Sequence, residues 1–176
     1  MVLDIVIDTR EQTPWHIEEC YATVTIGTLR IGDYALRGDV GFAVERKSLD
    51  DFLGTISSGW ERFKREVERA RKAGFTLPII VEGRIEDCMF TVSDSGEPIP
   101  PHHNHPRLLP GFVLKRVGEL QHMGANVYFA ENAEYAMAIA YSMLTERQLI
   151  LNKKDVMNAN NNNRNKTAAS TGAVQG

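Results

Sequence analysis

The segment Val2–Asp8 (VLDIVID) is a nearly continuous apolar run of strand length, interrupted only by Asp4. Such a run predicts a buried strand, and strands buried on both faces belong to sheets covered by helices. The strand ends on an acid, Asp8. Thr23–Arg30 carries β-branched residues and predicts a second strand. Gly32-Asp33 is a turn signal, Tyr34-Ala35-Leu36 resumes the strand pattern, and Gly38-Asp39 turns again. Phe42–Lys47 (FAVERK) reads as a strand whose far end becomes charged.

The period then changes. Leu49–Leu53 predicts a short helix capped by Ser48. Trp60, Phe63, Val67 and Ala70 recur at helical spacing, as core rather than stacking residues, and Gly74 is a natural stop. Leu77–Glu82 (LPIIVE) is a second short buried strand. The stretch from about Thr91 to Pro110, rich in Pro, His, Ser and Gly, reads as a long surface loop. Phe112–Met123 predicts a helix, Ala125–Phe129 a strand and Ala133–Leu149 an amphipathic helix. The order β-β-β-α-β-α-β-α implies an α/β fold with a mixed sheet flanked by helices. From about Asn152 the Asn-rich composition cannot bury enough apolar surface to offset ordering entropy, so residues 1–150 are expected to form the domain and 151–176 a disordered tail.

Bulk properties narrow the function. A chain of 176 residues with 43% hydrophobic and 24% charged residues suits one globular domain. No apolar run is long enough to cross a bilayer and no secretory leader is evident, so a soluble, cytoplasmic protein is expected (nucleoid-associated in a bacterium or phage, nuclear in a eukaryote). Two cysteines, Cys20 and Cys88, exclude a disulfide framework. The net charge of −3 weighs against nucleic-acid binding, but association responds to how charge is distributed over the surface.

Acids cluster where strands end: Asp8 with Arg10 and Glu11, Asp33 in its turn, and Glu45-Arg46-Lys47 closing FAVERK. Side chains alternate along a strand, so Glu45 and Lys47 project to one side and Arg46 to the other. Two carboxylates beside an ammonium are enough for a hard cation such as Mg²⁺, which keeps several waters. Such an ion relieves charge on a phosphate and acidifies a bound water, and Lys47 is expected to orient that water as a cation.

IDTRE (Ile7–Glu11), IGDY (Ile31–Tyr34) and ERKSLDD (Glu45–Asp51) resemble the nuclease domain of XPF-type structure-specific endonucleases, in the restriction-endonuclease-like superfamily. Gly32-Asp33, Glu45-Arg46-Lys47 and Asp51 stand in that family's register, and SSGWERFKRE and LPIIVEG extend the similarity over roughly Val2 to Leu144. The resemblance implies a restriction-endonuclease-like mixed central sheet and Mg²⁺- or Mn²⁺-dependent cleavage of branched or flap-like DNA in repair or recombination. It implies that Asp33 and Glu45 ligate the metal with Asp8 nearby, that the Arg46 carbonyl completes the site, that Lys47 positions water, and that Asp51 is a supporting acid. Arg10 and Arg46 become phosphate or structural contacts. A homodimer or a partner protein is also implied. The family's helix-hairpin-helix units are replaced here by the Asn-rich tail, so a minimal nuclease or one delivered by a partner is expected. The rival reading is a non-catalytic DNA-binding or scaffolding subunit.

Two further signals are weaker. The helix around Arg62, Lys64, Arg65, Arg69, Arg71 and Lys72 is either a solvated face with i,i+4 pairs or a phosphate-contacting surface, with Arg62 the favoured contact. His102, His103 and His105, with Cys88, match no standard zinc spacing and read as a solvated loop that contacts DNA or a partner.

Overall fold

A computed structural model describes residues 1–99, 105 and 108–171, with 91, 98 and 159–171 given by their backbone alone. The first apolar run forms strand β1 (Leu3–Asp8), paired in parallel with β2 (Ala22–Gly27) and antiparallel with β3 (Tyr34–Leu36). Strand β4 (Glu45–Ser48) runs parallel to β5 (Ile79–Glu82), which pairs in parallel with β8 (Val127–Ala130). A bridge between Tyr34 and Val44 joins the two three-stranded sheets edge to edge. FAVERK is therefore split, because Phe42 and Val44 make isolated bridges and the regular strand starts only at Glu45.

Helices α1 (Leu49–Ile56), α2 (Trp60–Lys72) and α3 (Pro110–His122) cover one face. Their apolar stripes, Phe52, Leu53 and Ile56 with Trp60, Phe63 and Val67, pack with Ile79 and Val81 of β5. Ile80, between those two, faces the other side and joins Leu3, Ile5 and Ile7 under Ala136, Ala140 and Leu144 of α4 (Ala133–Thr171). Alternation along one four-residue strand thus feeds two cores. The mixed sheet flanked by helices matches the fold expected from the sequence.

Two segments differ from their expected form. The supposed loop after Thr91 begins with a hairpin, β6 (Thr91–Val92) and β7 (Pro98–Ile99), turned at Gly96, which has φ +86°. Helix α4 continues past Leu149 to Thr171. No Gly or Pro interrupts Ala133–Thr171, and Gly172 follows. The composition argument holds in one respect: residues 152–158 are exposed, so this stretch adds nothing to the core. Among the described residues, no helix is long and apolar enough to cross a membrane.

Candidate active site

The site begins at a glycine. Gly32 has φ +72°, and a Cβ there would lie 2.8 Å from the Ala43 Cβ and 3.0 Å from the Val44 carbonyl oxygen. Only glycine adopts this backbone and tolerates that approach without strain. The turn is pinned on both sides. Asp33 N donates to Val44 O at 2.8 Å, and Asp8 N donates to Asp33 O at 2.8 Å. The Asp33 side chain therefore lands against the start of β4, where Arg46 N donates to Oδ2 at 2.8 Å.

On β4, Lys47 Nζ donates to Glu45 Oε1 at 2.5 Å, with both side chains largely buried. The ammonium also sits 5.5 Å from the Phe63 ring centre on α2. Burial pulls the Lys47 pKa down, but the Glu45 and Asp33 carboxylates outweigh it, and the group stays charged above the ordinary lysine range. Asp33 moves the other way. Burial first, then the charge of Glu45, push its pKa up to about 7, against the hydrogen bond from Arg46 N and the charge of Lys47. Two carboxylates crowd one ammonium, and their mutual repulsion is not fully relieved.

Above this floor opens a cleft of about 920 Å³. Asp33 and Lys47 line its base, Arg10, Glu11 and Thr13 one wall, and Asp50, Asp51 and Arg62 the other. Ser48 caps α1, its Oγ accepting from Asp51 N at 3.1 Å and donating to Asp51 Oδ2 at 2.7 Å. The cap sets Asp51 on the cleft wall.

Three of the named residues sit apart from the Asp33, Glu45 and Lys47 cluster. Asp8 is fully buried and saturated: Oδ1 accepts from Arg10 N and Nε, and Oδ2 from Leu29 N and Arg10 Nη2. Burial opposes its charge, but these bonds prevail and hold its pKa below the ordinary carboxylate value. Asp8 braces Arg10 and is not among the residues that line the cleft. Arg46, expected as a phosphate or structural contact, lines the cleft and is clamped by Glu82, with Nε to Oε1 at 2.7 Å and Nη2 to Oε2 at 2.8 Å. It also donates to Glu11 at 3.3 Å and Thr13 Oγ1 at 2.9 Å, and stays largely buried. A guanidinium with carboxylates on both sides is a structural tie. Lys64 lies outside the cleft, in a separate groove described below.

Glu11 and Glu82 were not singled out for any role. Glu11 lines the cleft and helps raise Asp33, while Glu82 also accepts a short bond from Trp15 Nε1. The signal for Glu82 was a second acid at a parallel strand end, beside ERK in register: Arg46 pairs with Ile80 and Ser48 with Glu82. The zinc reading finds no support: burial pushes the Cys88 thiol up to about 11, and His105 pairs with Asp50 at 3.2 Å. His102 and His103 lie outside the described residues.

The donor set suits a hard cation. Among the described residues no group of three or more His, Cys, Asp or Glu is placed to hold a metal, yet the charge of Glu45 acts on Asp33, whose own carboxylate is poorly compensated. Two carboxylates suffice for an ion that keeps most of its waters.

A sequence profile of the ERCC4 domain matches residues 7–143, most of the chain. The chain belongs to the ERCC4-domain family. Among solved structures, this ERCC4 domain is similar to XPF from Aeropyrum pernix, with a TM-score of 0.61 and 20% identity over 88% of this chain and 69% of that one. The same protein in complex with DNA gives 0.59 and 21% over 83% of this chain and 65% of that one. Family and fold together make the chain an XPF-type nuclease domain. It is also 26% identical over 155 residues to a Methanocaldococcus jannaschii protein that bears the name of an ATP-dependent RNA helicase. This match takes in 88% of the ERCC4-domain chain but only 17% of that relative's length.

Proposed function

We propose that this ERCC4 domain is a divalent-metal-dependent endonuclease that hydrolyses DNA phosphodiester bonds, with branched or flap-like DNA as its substrate. One observation carries the reading: Asp33 and Lys47 line the base of one cleft, with Glu45 bonded to the Lys47 ammonium, alongside the exposed cations Arg10 and Arg62. The DNA complex of the Aeropyrum pernix protein supports a nucleic-acid ligand by similarity of fold.

Each residue then has a task. Asp33 and Glu45 would hold Mg²⁺ or Mn²⁺, which when bound supplies charge relief on the phosphate and an acidified water. Lys47, kept charged and aimed by Glu45, orients the attacking water and offsets charge that develops on the phosphate. Arg10, fixed by Asp8, and Arg62, on the first turn of α2, receive the flanking phosphates. Asp51 supports the site from the capped end of α1.

The test is to incubate the protein with flap, fork, splayed-arm and single-stranded DNA, in Mg²⁺ or in EDTA. Cleavage of the branched forms is expected in Mg²⁺ alone, and its loss in Asp33→Ala and Glu45→Ala. Cutting that survives EDTA or either substitution removes the mechanism. Binding without cutting in Mg²⁺ or Mn²⁺ favours the non-catalytic scaffold instead.

A further inference from the structure

On the other side of α2 lies a second groove, between α2 and α3, that the cleavage reaction does not use. Gly59 and Arg62 face the cleft, whereas Trp60 and Lys64 face this groove, so the first turns of α2 form the ridge between the two. Lys64, Lys115, Arg116 and His122 line it, with Glu119 as its acid. Glu119 Oε2 accepts from Arg116 Nη1 at 2.6 Å, and Oε1 lies 3.8 Å from Lys115 Nζ. The Arg116 hydrogen bond, with the charges of Arg116, Lys115 and Lys64, keeps the Glu119 carboxyl below its ordinary range. One carboxylate cannot neutralise three cations. In a chain of net charge −3, the surplus is a local one.

Arg116 is also held rigid. Its guanidinium stacks 4.1 Å from the Trp60 ring centre and 4.9 Å from that of Phe112, and its buried Nε has no hydrogen-bond partner. A planar cation locked between two rings loses little rotamer freedom when it binds an anion. Lys115, by contrast, is 70% exposed and only loosely paired.

We propose that this groove is a second phosphate-binding element, which engages the backbone of a nucleic-acid strand as that strand crosses α2 out of the cleft. Only the identity of the ligand rests on the nuclease reading. The fixed guanidinium of Arg116 sets the register, and Lys64 and Lys115 add sequence-independent attraction.

The experiment is a salt titration of binding, by fluorescence anisotropy with a labelled splayed-arm duplex in EDTA, so that cleavage plays no part. Lys115→Glu is expected to weaken binding about 3- to 10-fold and to reduce the slope of log K against log salt by about one. Arg116→Lys keeps the charge, loses the planar stack, and should weaken binding less. Lys153→Glu, on α4 across the sheet, changes net charge equally and should leave the slope as in wild type. The groove is refuted if Lys115→Glu binds as wild type does, if Lys153→Glu matches it, or if the DNA does not bind at all. A loss caused by inorganic phosphate at millimolar concentration, equal in wild type and Lys115→Glu, would also refute it, since it would mark a site elsewhere. Cutting that persists in Asp33→Ala would remove the nuclease mechanism and leave the groove standing. Cutting lost in Asp33→Ala with an unchanged slope in Lys115→Glu would remove the groove alone.

Discussion

Asp8 and Asp33 lie side by side in the fold, joined by a backbone hydrogen bond of 2.8 Å, yet they are opposite kinds of acid. Asp8 receives four N–H donors, two of them from the Arg10 guanidinium, and its charge is welcome in the folded protein. Asp33 receives one backbone N–H and a neighbouring carboxylate, and its charge is resisted. Burial opposes both charges, and the two acids differ in how many donors offset it. A carboxylate whose acceptor sites are full serves the scaffold, and one left short of donors is available for a cation.

The largest expected effect separates the two by activity. Asp33→Asn should lower metal-dependent cleavage on the order of 10²-fold or more, because it removes a ligand from the proposed site. The same substitution should make the metal-free protein more stable above pH 7, as read by thermal melts. The sign follows from the raised pKa: the stability associated with Asp33 is present below the unfolded carboxylate value of 3.8 and is lost as pH rises through about 7. Mn²⁺ affinity by calorimetry should accordingly climb as pH passes through about 7, where the proton stops competing. Flat affinity from pH 5.5 to 8 would break the contrast.

Asp8 should behave in reverse. Asp8→Asn is expected to destabilise the fold by about 2–3 kcal/mol in denaturant titrations, since it strips a charged acceptor from buried donors. Its lowered pKa means that its contribution is present above 3.8 and lost as pH falls through the folded value. An Asp8→Asn protein with wild-type stability would show that saturation is not what distinguishes the pair.

Gly32→Ala tests how the pair is positioned. Positive φ and a 2.8 Å contact with the Ala43 Cβ should together cost roughly 2 kcal/mol, with cleavage falling as Asp33 shifts. Equal stability and activity would mean that the turn does not set the site. The smallest effect belongs to the rim. Arg62, 74% exposed and 4.0 Å from Glu66, should lose about 2- to 5-fold in DNA affinity when changed to Ala, without a change in melting temperature.

Much of the fold was legible because the signals are local. The Val2–Asp8 and LPIIVE runs, and the Trp60–Phe63–Val67–Ala70 stripe, declare period and burial within a few residues. Strand alternation likewise foretold that Glu45 and Lys47 share a face. The hairpin at Thr91–Ile99 was hidden by its shortness, and the continuation of α4 by an Asn-rich composition in which apolar residues are sparse. The tie between Arg46 and Glu82 was not legible, because the two are distant in sequence and meet only through the β4–β5 register.

From the chain alone came the order of elements, the acids at the strand ends and the lysine beside them, since propensity and periodicity act between near neighbours. Which acid would be saturated and which left short, that Arg46 would be tied down, and that Arg116 would lodge between Trp60 and Phe112, depended on contacts between remote segments. Those contacts exist only once the sheet has closed, because burial and hydrogen-bond supply are properties of the assembled surroundings and not of any one stretch of sequence.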